Sequence, residues 1–370
     1  MRRARVLTLV DSLGRGGFQR QVVSLHGRLS RRRFDLRVAS LMDPSPLARE
    51  LREMKVTVHE LGLASDRELF RGAVRVRRLI STMGIDLVHT WGTLSGVIGR
   101  LGAAGKAPLV STLADPEDAG RPGRSLDLLG LLDRLTARRL ASRRLVTSQA
   151  SRAHHARRGL EAELLAGCVD QQGLGARLAR ADRELARRGL GLGPHAVVYL
   201  SVGRFRQGGG QDLLLRGFRV ALTEEPRLRL LLAGDGPELG EARALAEELD
   251  LQDGAVFLGE VADVATLYRA SDVFVLPTMR DASSTALLEA MAAALPALVH
   301  QGREGAELAT EATAVFVDME REEEVARGLL AFERDPGLRR RLGEGGGRRA
   351  GAFDVSGTAE TLASIYEALL

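Results

Sequence analysis

The chain of 370 residues is 45% hydrophobic and 27% charged, as in a soluble globular protein of about two domains whose core needs no disulfide or metal support. Its single cysteine, Cys168, excludes an intrachain disulfide, and no apolar run approaches the length of a membrane span. Formal net charge is +5 and every basic residue except Lys55 and Lys106 is arginine, yet 4% aromatics leave no stacking platform, so nucleic acid is not expected as a partner. Arginine clusters at 31–33, 75–78 and 138–144 therefore read as solvated faces or as peripheral contacts with an anionic membrane surface.

The opening MRRARVLTLVDSLGRGG carries the charge of a secretory leader, but its apolar core is short and ends in a Gly-rich turn. It reads as a first strand, Val6–Val10, and the chain as cytoplasmic. Strand-like runs follow at Asp35–Leu41, Val56–Leu61, Leu87–Thr90, Leu109–Leu113, Leu145–Ser148 and Glu163–Leu165. Between several of them lie Leu/Arg/Ala segments with apolar residues three and four apart, as in Ala73 to Ile80. An Arg/Ala/Gly-rich linker near 175–195 separates these from a second set: Ala196–Val202, Leu228–Ala233, Ala255–Leu258, Asp272–Leu276, Ala297–Val299 and Ala314–Val317. Such alternation predicts two α/β halves, each a parallel sheet covered by helices on both faces. Thr358 to Leu370 reads as an amphipathic helix with Leu362, Ile365 and Leu369 on one face.

The stretch Pro277 to Pro296, PTMRDASSTALLEAMAAALP, organises the chemistry. It follows a buried strand, turns through Asp281 to Thr285 and enters a run of strong helix formers, with Ser283 or Ser284 as a natural N-cap. Helix N–H groups there would form an anion site at the carboxyl edge of a sheet. Asp281 and Glu289 frame it, Glu289 about 10 Å beyond the helix start. A strand, turn and helix with a solvated Glu is the plain alternative. Three further strand ends carry glycine: Gly203 before Arg204, Gly234 and Gly236, and Gly259. They suggest a floor where a planar base and a diphosphate approach the backbone, and Arg suits a phosphate through its two-pronged fork. The first strand runs into Asp11-Ser-Leu-Gly-Arg-Gly-Gly, where Gly17 would offer its N–H at a helix start, or simply close a tight turn.

The order VGRF, AGDGP, FLGEV, LYRASDVFVLPT, then D-x7-E before AMAAALP, with GGFQR and DLVHTW at the front and FDVSGTAETLASIYEALL at the back, resembles glycosyltransferase family 4 over nearly the whole chain. The resemblance implies a GT-B fold: an acceptor-side Rossmann-like domain over 1–175 and a nucleotide-sugar-binding one over 176–355, facing each other across a cleft. A last helix, 356–370, would cross back to the first domain. It further implies retaining transfer of a sugar from a nucleotide-sugar donor to a glycan or lipid-linked acceptor. Glu289 would bind the ribose, Asp281 would contact the donor sugar, and Arg204 and the Gly17 N–H would hold the diphosphate. The N–H groups around Ser284 and Thr285 would complete the cradle. With charge carried by helix termini and Arg, and no Asp-x-Asp pair, neither metal nor resident cofactor is expected.

Departures from the family pattern cluster in this site. Asp281 replaces a Glu, Ala282 a Gly, and Gly209 the second cation on the diphosphate, a loss of roughly 1.5–3 kcal/mol unless Arg206 substitutes. Trp91 stands for the second His of a His-x-His beginning at His89, and Ala114 for a His before Asp115. Arg303-Glu304 replaces a Gly pair, Ala166-Gly167-Cys168 a Pro-Asn-Gly, and alanine stands for glycine at 294 and 314. Two functions remain open: an active transferase, or a catalytically impaired sugar-nucleotide-binding or partner-binding module. A nucleotide-sugar epimerase is a third; it would need acid/base groups in the cleft, where His89 and His300 are the histidines at strand ends.

Overall fold

The computed structural model describes residues 2–42, 45–114, 124–278, 285–302 and 307–370. The chain divides into two compact units, Met1–Gly167 together with Val355–Leu370, and Cys168–Asp354. In the first unit the elements run β1 (Ala4–Ser12), α1 (Gly17–Arg28), β2 (Phe34–Met42), α2 (Ala48–Glu53), β3 (Thr57–Glu60), α3 (Leu69–Met83), β4 (Leu87–Trp91), α4 (Thr93–Ala103), β5 (Leu109–Thr112), α5 (Arg124–Leu140), β6 (Arg143–Val146), α6 (Gln149–Arg157) and β7 (Glu163–Leu164). The second comprises α7 (Gln171–Arg180), α8 (Arg183–Gly189), β8 (Val198–Val202), α9 (Gln211–Glu224), β9 (Arg229–Ala233), α10 (Leu239–Glu248), β10 (Ala255–Gly259), α11 (Ala265–Ala270), β11 (Val273–Leu276), α12 (Thr285–Ala292), β12 (Ala297–His300), β13 (Ala314–Val317), α13 (Glu322–Arg334) and α14 (Pro336–Ala350). The last helix, α15 (Val355–Glu367), returns to the first unit.

All strands of both sheets fall where the apolar runs predict. Each sheet is parallel, with orders β3-β2-β1-β4-β5-β6-β7 and β10-β9-β8-β11-β12-β13. The second shows why its strands read as unbroken apolar runs rather than alternations. Tyr199, Val273 and Val275 pack into one buried cluster, whereas their neighbours Val198, Leu200 and Phe274 pack into another across the sheet. Each such buried side chain contributes about 1.5–3 kcal/mol.

The expected linker near 175–195 is instead two helices, α7 and α8, which start on the caps Asp170 and Asp182. Two arginines of α8 are structural. Arg183 and Arg187 both bond Asp272, at 2.6 and 3.3 Å, and Asp272 also accepts from the Val198 N–H. Sequence periodicity missed this because the apolar face is short and its partner is a strand-end carboxylate 85 or more positions away.

The last helix docks through polar as well as apolar contacts. Its Tyr366 hydroxyl lies 2.6 Å from His89 Nδ1 in the unit core, and Arg33 pairs with its Glu360 and Glu367 at 2.8 and 2.6 Å. Arg31 bonds the His26 and Met54 carbonyls, and Arg143 pairs with Glu163, so part of the basic clusters serves the fold. Of the alanines standing for glycine, Ala314 lies in β13 without strain, while Ala294 is held at φ 57°.

Two outcomes follow. An Ala in the left-handed region costs about 1 kcal/mol, partly offset by the greater unfolded-state freedom of glycine. Ala294→Gly should therefore raise the urea-unfolding free energy by about 0.5–1 kcal/mol. Burial depresses His26 to about 4 and His89 well below 6.5, so both are neutral in the fold. Above pH 6.5 this makes no difference to stability. Below it the unfolded chain takes up protons that the fold refuses, and stability falls by up to about 1.4 kcal/mol per pH unit for each histidine. The share of His26 is exhausted near pH 4. Urea midpoints across this window measure the slope, and a flat profile would show that the histidines accept protons in the folded state.

Candidate functional site

In the second sheet β8 and β11 are neighbours, and the chain winds outward from them in opposite directions. Ligands of open parallel sheets sit at the carboxyl ends beside such a reversal, because the two following helices diverge there. After β8 the chain passes Gly203, exposed Arg204 and a turn closed by the Gly209 N–H on the Arg206 carbonyl at 2.8 Å. Gly210 begins α9 at φ 75°, so close to the end of β11 that an added Cβ would lie 2.3 Å from the Pro277 carbonyl oxygen. Thr278 Oγ1 donates to the Gly208 carbonyl and Gln211 Nε2 to that of Arg204. The loop is thereby locked, and α9 starts without a side-chain cap. Free N–H groups of that kind suit an anion.

Glu289 sits on α12, four residues after Thr285, about 6 Å along the axis. It is buried, and Oε2 accepts from the Tyr268 hydroxyl at 3.0 Å; the same hydroxyl lies 3.2 Å from the Ala286 carbonyl. Burial, reinforced by the Glu289 charge, lifts the Tyr268 phenol well above its usual range, so it stays protonated as a donor. Thr285 is also buried. Asp281 and Ser284, with Asp115, Ala282, Ser283, Arg303 and Glu304, lie outside the described residues. Tyr268 was not singled out from the sequence, although it stands in the LYRASD run; a buried Tyr looks like core until its hydroxyl partner is seen.

The strand-end glycines divide by role. A Cβ on Gly236 would lie 2.1 Å from the Phe205 carbonyl oxygen, so that glycine is needed for packing between the β8 and β9 turns. Gly203 is exposed, with nothing closer to a built Cβ than Gln211 Nε2 at 3.9 Å, and offers an open backbone. Gly209 is buried; a Cβ there would lie 2.9 Å from the Arg206 carbonyl oxygen, so a lysine requires the turn to move. Arg206 is half-buried and already engaged.

In the first unit the equivalent reversal lies between β1 and β4. Gly17 opens α1, exposed, behind Gly16, which gives no side-chain cap. The α4 start is occupied instead. Asp11 accepts from the Ser95 and Leu94 N–H groups at 2.6 and 3.4 Å, bonds that oppose the upward push of burial on its carboxyl. Asp11 opens the Gly-rich loop, but a non-local cap leaves no signal in spacing. His89 is fully buried: Nδ1 receives Trp91 Nε1 at 3.2 Å and the Tyr366 hydroxyl, and Nε2 meets Thr112 Oγ1 at 2.8 Å. With both nitrogens committed and Trp91 buried, the pair builds the core. His300 Nδ1 accepts the Met319 N–H at 3.2 Å. Among the described residues no group of three His, Cys, Asp or Glu could hold a metal.

Comparison with known proteins adds a lineage. The family described as Glycosyl transferases group 1 matches residues 182–349, and Glycosyltransferase Family 4 matches 15–170. The D-inositol 3-phosphate glycosyltransferase of Streptomyces avermitilis is 31% identical over 317 residues, 77% of this chain and 66% of that protein. The Streptomyces bingchenggensis protein of the same name is 29% identical over 319 residues, and again the chain spans 66% of its length. Among solved structures, Anabaena HepE in complex with UDP-glucose superposes with a TM-score of 0.84 at 20% identity, covering 99% of this chain and 100% of that one. WaaG, described as involved in lipopolysaccharide biosynthesis, gives 0.76 at 20% identity over 97% and 99%. At that identity the likeness is one of fold.

The Tyr268–Glu289 bond has a measurable weight. Tyr268→Phe removes a donor to a buried carboxylate and should cost about 1.5–3 kcal/mol in urea unfolding. An unchanged midpoint would mean that another group takes over the carboxylate.

Proposed function

The chain belongs to the family 4 glycosyltransferases of GT-B fold, and we propose that it transfers a sugar, with retention, from a nucleotide-sugar donor to a glycan or lipid-linked acceptor. The observation that carries this reading is the uncapped start of α9 at the β8/β11 reversal, locked against Pro277, with Arg204 exposed in the turn before it. Breaking the bond from the anomeric carbon to the diphosphate builds negative charge on the leaving oxygen. Fixed N–H groups and a guanidinium stabilise that charge without reorganising. In this reading Arg204 and the Gly17 N–H hold the diphosphate, Gly203 floors the site, and Glu289, aimed by Tyr268, takes the ribose. Asp281 attends the donor sugar, and Ser284 with Thr285 completes the cradle. The acceptor hydroxyl attacks the same face that the leaving group vacates, and its proton departs with the nucleoside diphosphate. No metal is required, because the helix terminus and Arg204 supply the charge. The likeness to HepE in complex with UDP-glucose favours a uridine nucleotide, and the reading extends to a cytoplasmic protein acting at the inner face of the membrane.

One observation favours a second reading. The family's lysine position is Gly209, buried and without space for a side chain, which leaves Arg204 as the exposed cation of that turn. A sugar-nucleotide-binding module without turnover would tolerate this loss. Calorimetric titration with UDP, GDP and ADP, with hydrolysis assays on their sugar conjugates, separates the two. The transferase reading expects binding and slow turnover, both unaffected by EDTA. Arg204→Ala should weaken nucleotide binding about 10- to 100-fold. No binding at millimolar concentration sinks both readings, and binding without turnover on any acceptor supports the module.

A further inference from the structure

Helix α5 turns an apolar stripe to solvent. At about 100° per residue, Leu128, Leu131 and Leu135 lie within roughly 60° of one another, and they are 61%, 44% and 42% exposed. The opposite side faces the unit, where Leu129 and the buried Ala137 pack into its apolar clusters beside polar groups. Asp133 accepts from Arg100 Nη2, and Thr136 Oγ1 accepts from Arg100 Nε at 3.0 Å. The Arg100 side chain is wholly buried and also donates to Ser111 Oγ at 2.7 Å. A surface helix of a globular domain normally turns its apolar stripe to the core. Here the leucine stripe faces solvent, on the side of the helix away from the buried Arg100–Asp133 pair.

Charge decides what covers that stripe. Arg134 and Arg138 flank the leucines on one side and Arg139 on the other, all exposed, and none has an ion pair with a described residue. The same layer of helices repeats the pattern. α3 packs on α4 and α4 on α5, and α3 exposes Phe70 at 82% and Val74 at 46% beside Arg71, Arg77 and Arg78. Glu68 at the start of that helix is paired with Arg71 at 2.9 Å. A second copy of the chain packed symmetrically on this face would set arginine against arginine. An outward leucine ridge rimmed by cations matches a surface that is apolar within and anionic at its boundary. No helix among the described residues is long and apolar enough to cross a membrane, so contact there is by lying on it.

We propose that the outer face of α5, with Leu128, Leu131 and Leu135 inserted and Arg134, Arg138 and Arg139 at the headgroups, docks the protein on an anionic phospholipid membrane. The docking surface belongs to the first unit and the α9 start to the second, and the proposal stands whether or not sugar transfer is the activity. Co-sedimentation of the full chain with phosphatidylglycerol/phosphatidylcholine vesicles, against phosphatidylcholine alone, tests it. The wild type should partition at least ~10-fold more strongly onto the anionic vesicles, less so at high salt. Leu128→Ser, Leu131→Ser and Leu135→Ser combined should lower partitioning roughly 100-fold while leaving UDP titration unchanged. Should that variant fail to fold, Arg134→Gln with Arg138→Gln and Arg139→Gln keeps the leucines and should erase the preference for anionic lipid. A wild type that stays in the supernatant overturns the proposal. So do variants that sediment like wild type, or a wild-type dimer, indifferent to vesicles, that the leucine variant converts to monomer. Vesicle binding without any nucleotide binding would leave the docking face standing and remove the transferase reading.

Discussion

The contact of Gly210 with the Pro277 carbonyl governs the second unit. It brings the turn after β8 against the end of β11, across the one place where the sheet reverses its winding. No side chain fits between them, so the distance from the α9 start to the strand end is set by backbone alone. Everything proposed for the donor depends on that fixed distance. Arg204 is carried by the same turn, and Glu289 by the helix that follows the partner strand, held by Tyr268 rather than by solvent. Preorganisation of this sort is what allows a few dipoles and one cation to stabilise a leaving diphosphate.

The folded pattern was legible wherever a single physical signal dominated. Short apolar runs located the central strands of both sheets, because strands buried on two faces tolerate little else. Leu362 on α15 reads correctly as an inward residue. What spacing could not show was polar commitment between distant positions. Asp11 filling the α4 start, Asp272 gripping two arginines of α8, and His89 shared by Trp91 and Tyr366 all join residues far apart in sequence. Helical period also tells which residues share a face without telling which face turns inward. In α5 the inward face carries Asp133 and Thr136, bonded to the buried Arg100, beside Leu129 and Ala137, and three leucines are left outside.

The departures from the family pattern acquire physical content in the same way. Gly209 is an accommodated glycine in a turn that closes on the Arg206 carbonyl, so the missing cation has been built over. Ala294, by contrast, keeps the left-handed turn that glycine would adopt freely and carries the strain. One position has been remodelled and the other merely tolerated. The arginine-rich composition likewise separates into staples, such as Arg31, Arg33 and Arg187, and an unpaired rim on α5.

The return of α15 sets an order of assembly. The first unit takes its residues from both ends of the chain, whereas Cys168–Asp354 is one uninterrupted stretch. During synthesis the second unit is complete before the first, although most of the first is made earlier. Until Tyr366 emerges, His89 lacks its hydroxyl partner and the surface under α1 and α15 stays open. A protease that trims the tail therefore injures the first unit, begun earliest and finished last, and leaves the uninterrupted second unit whole.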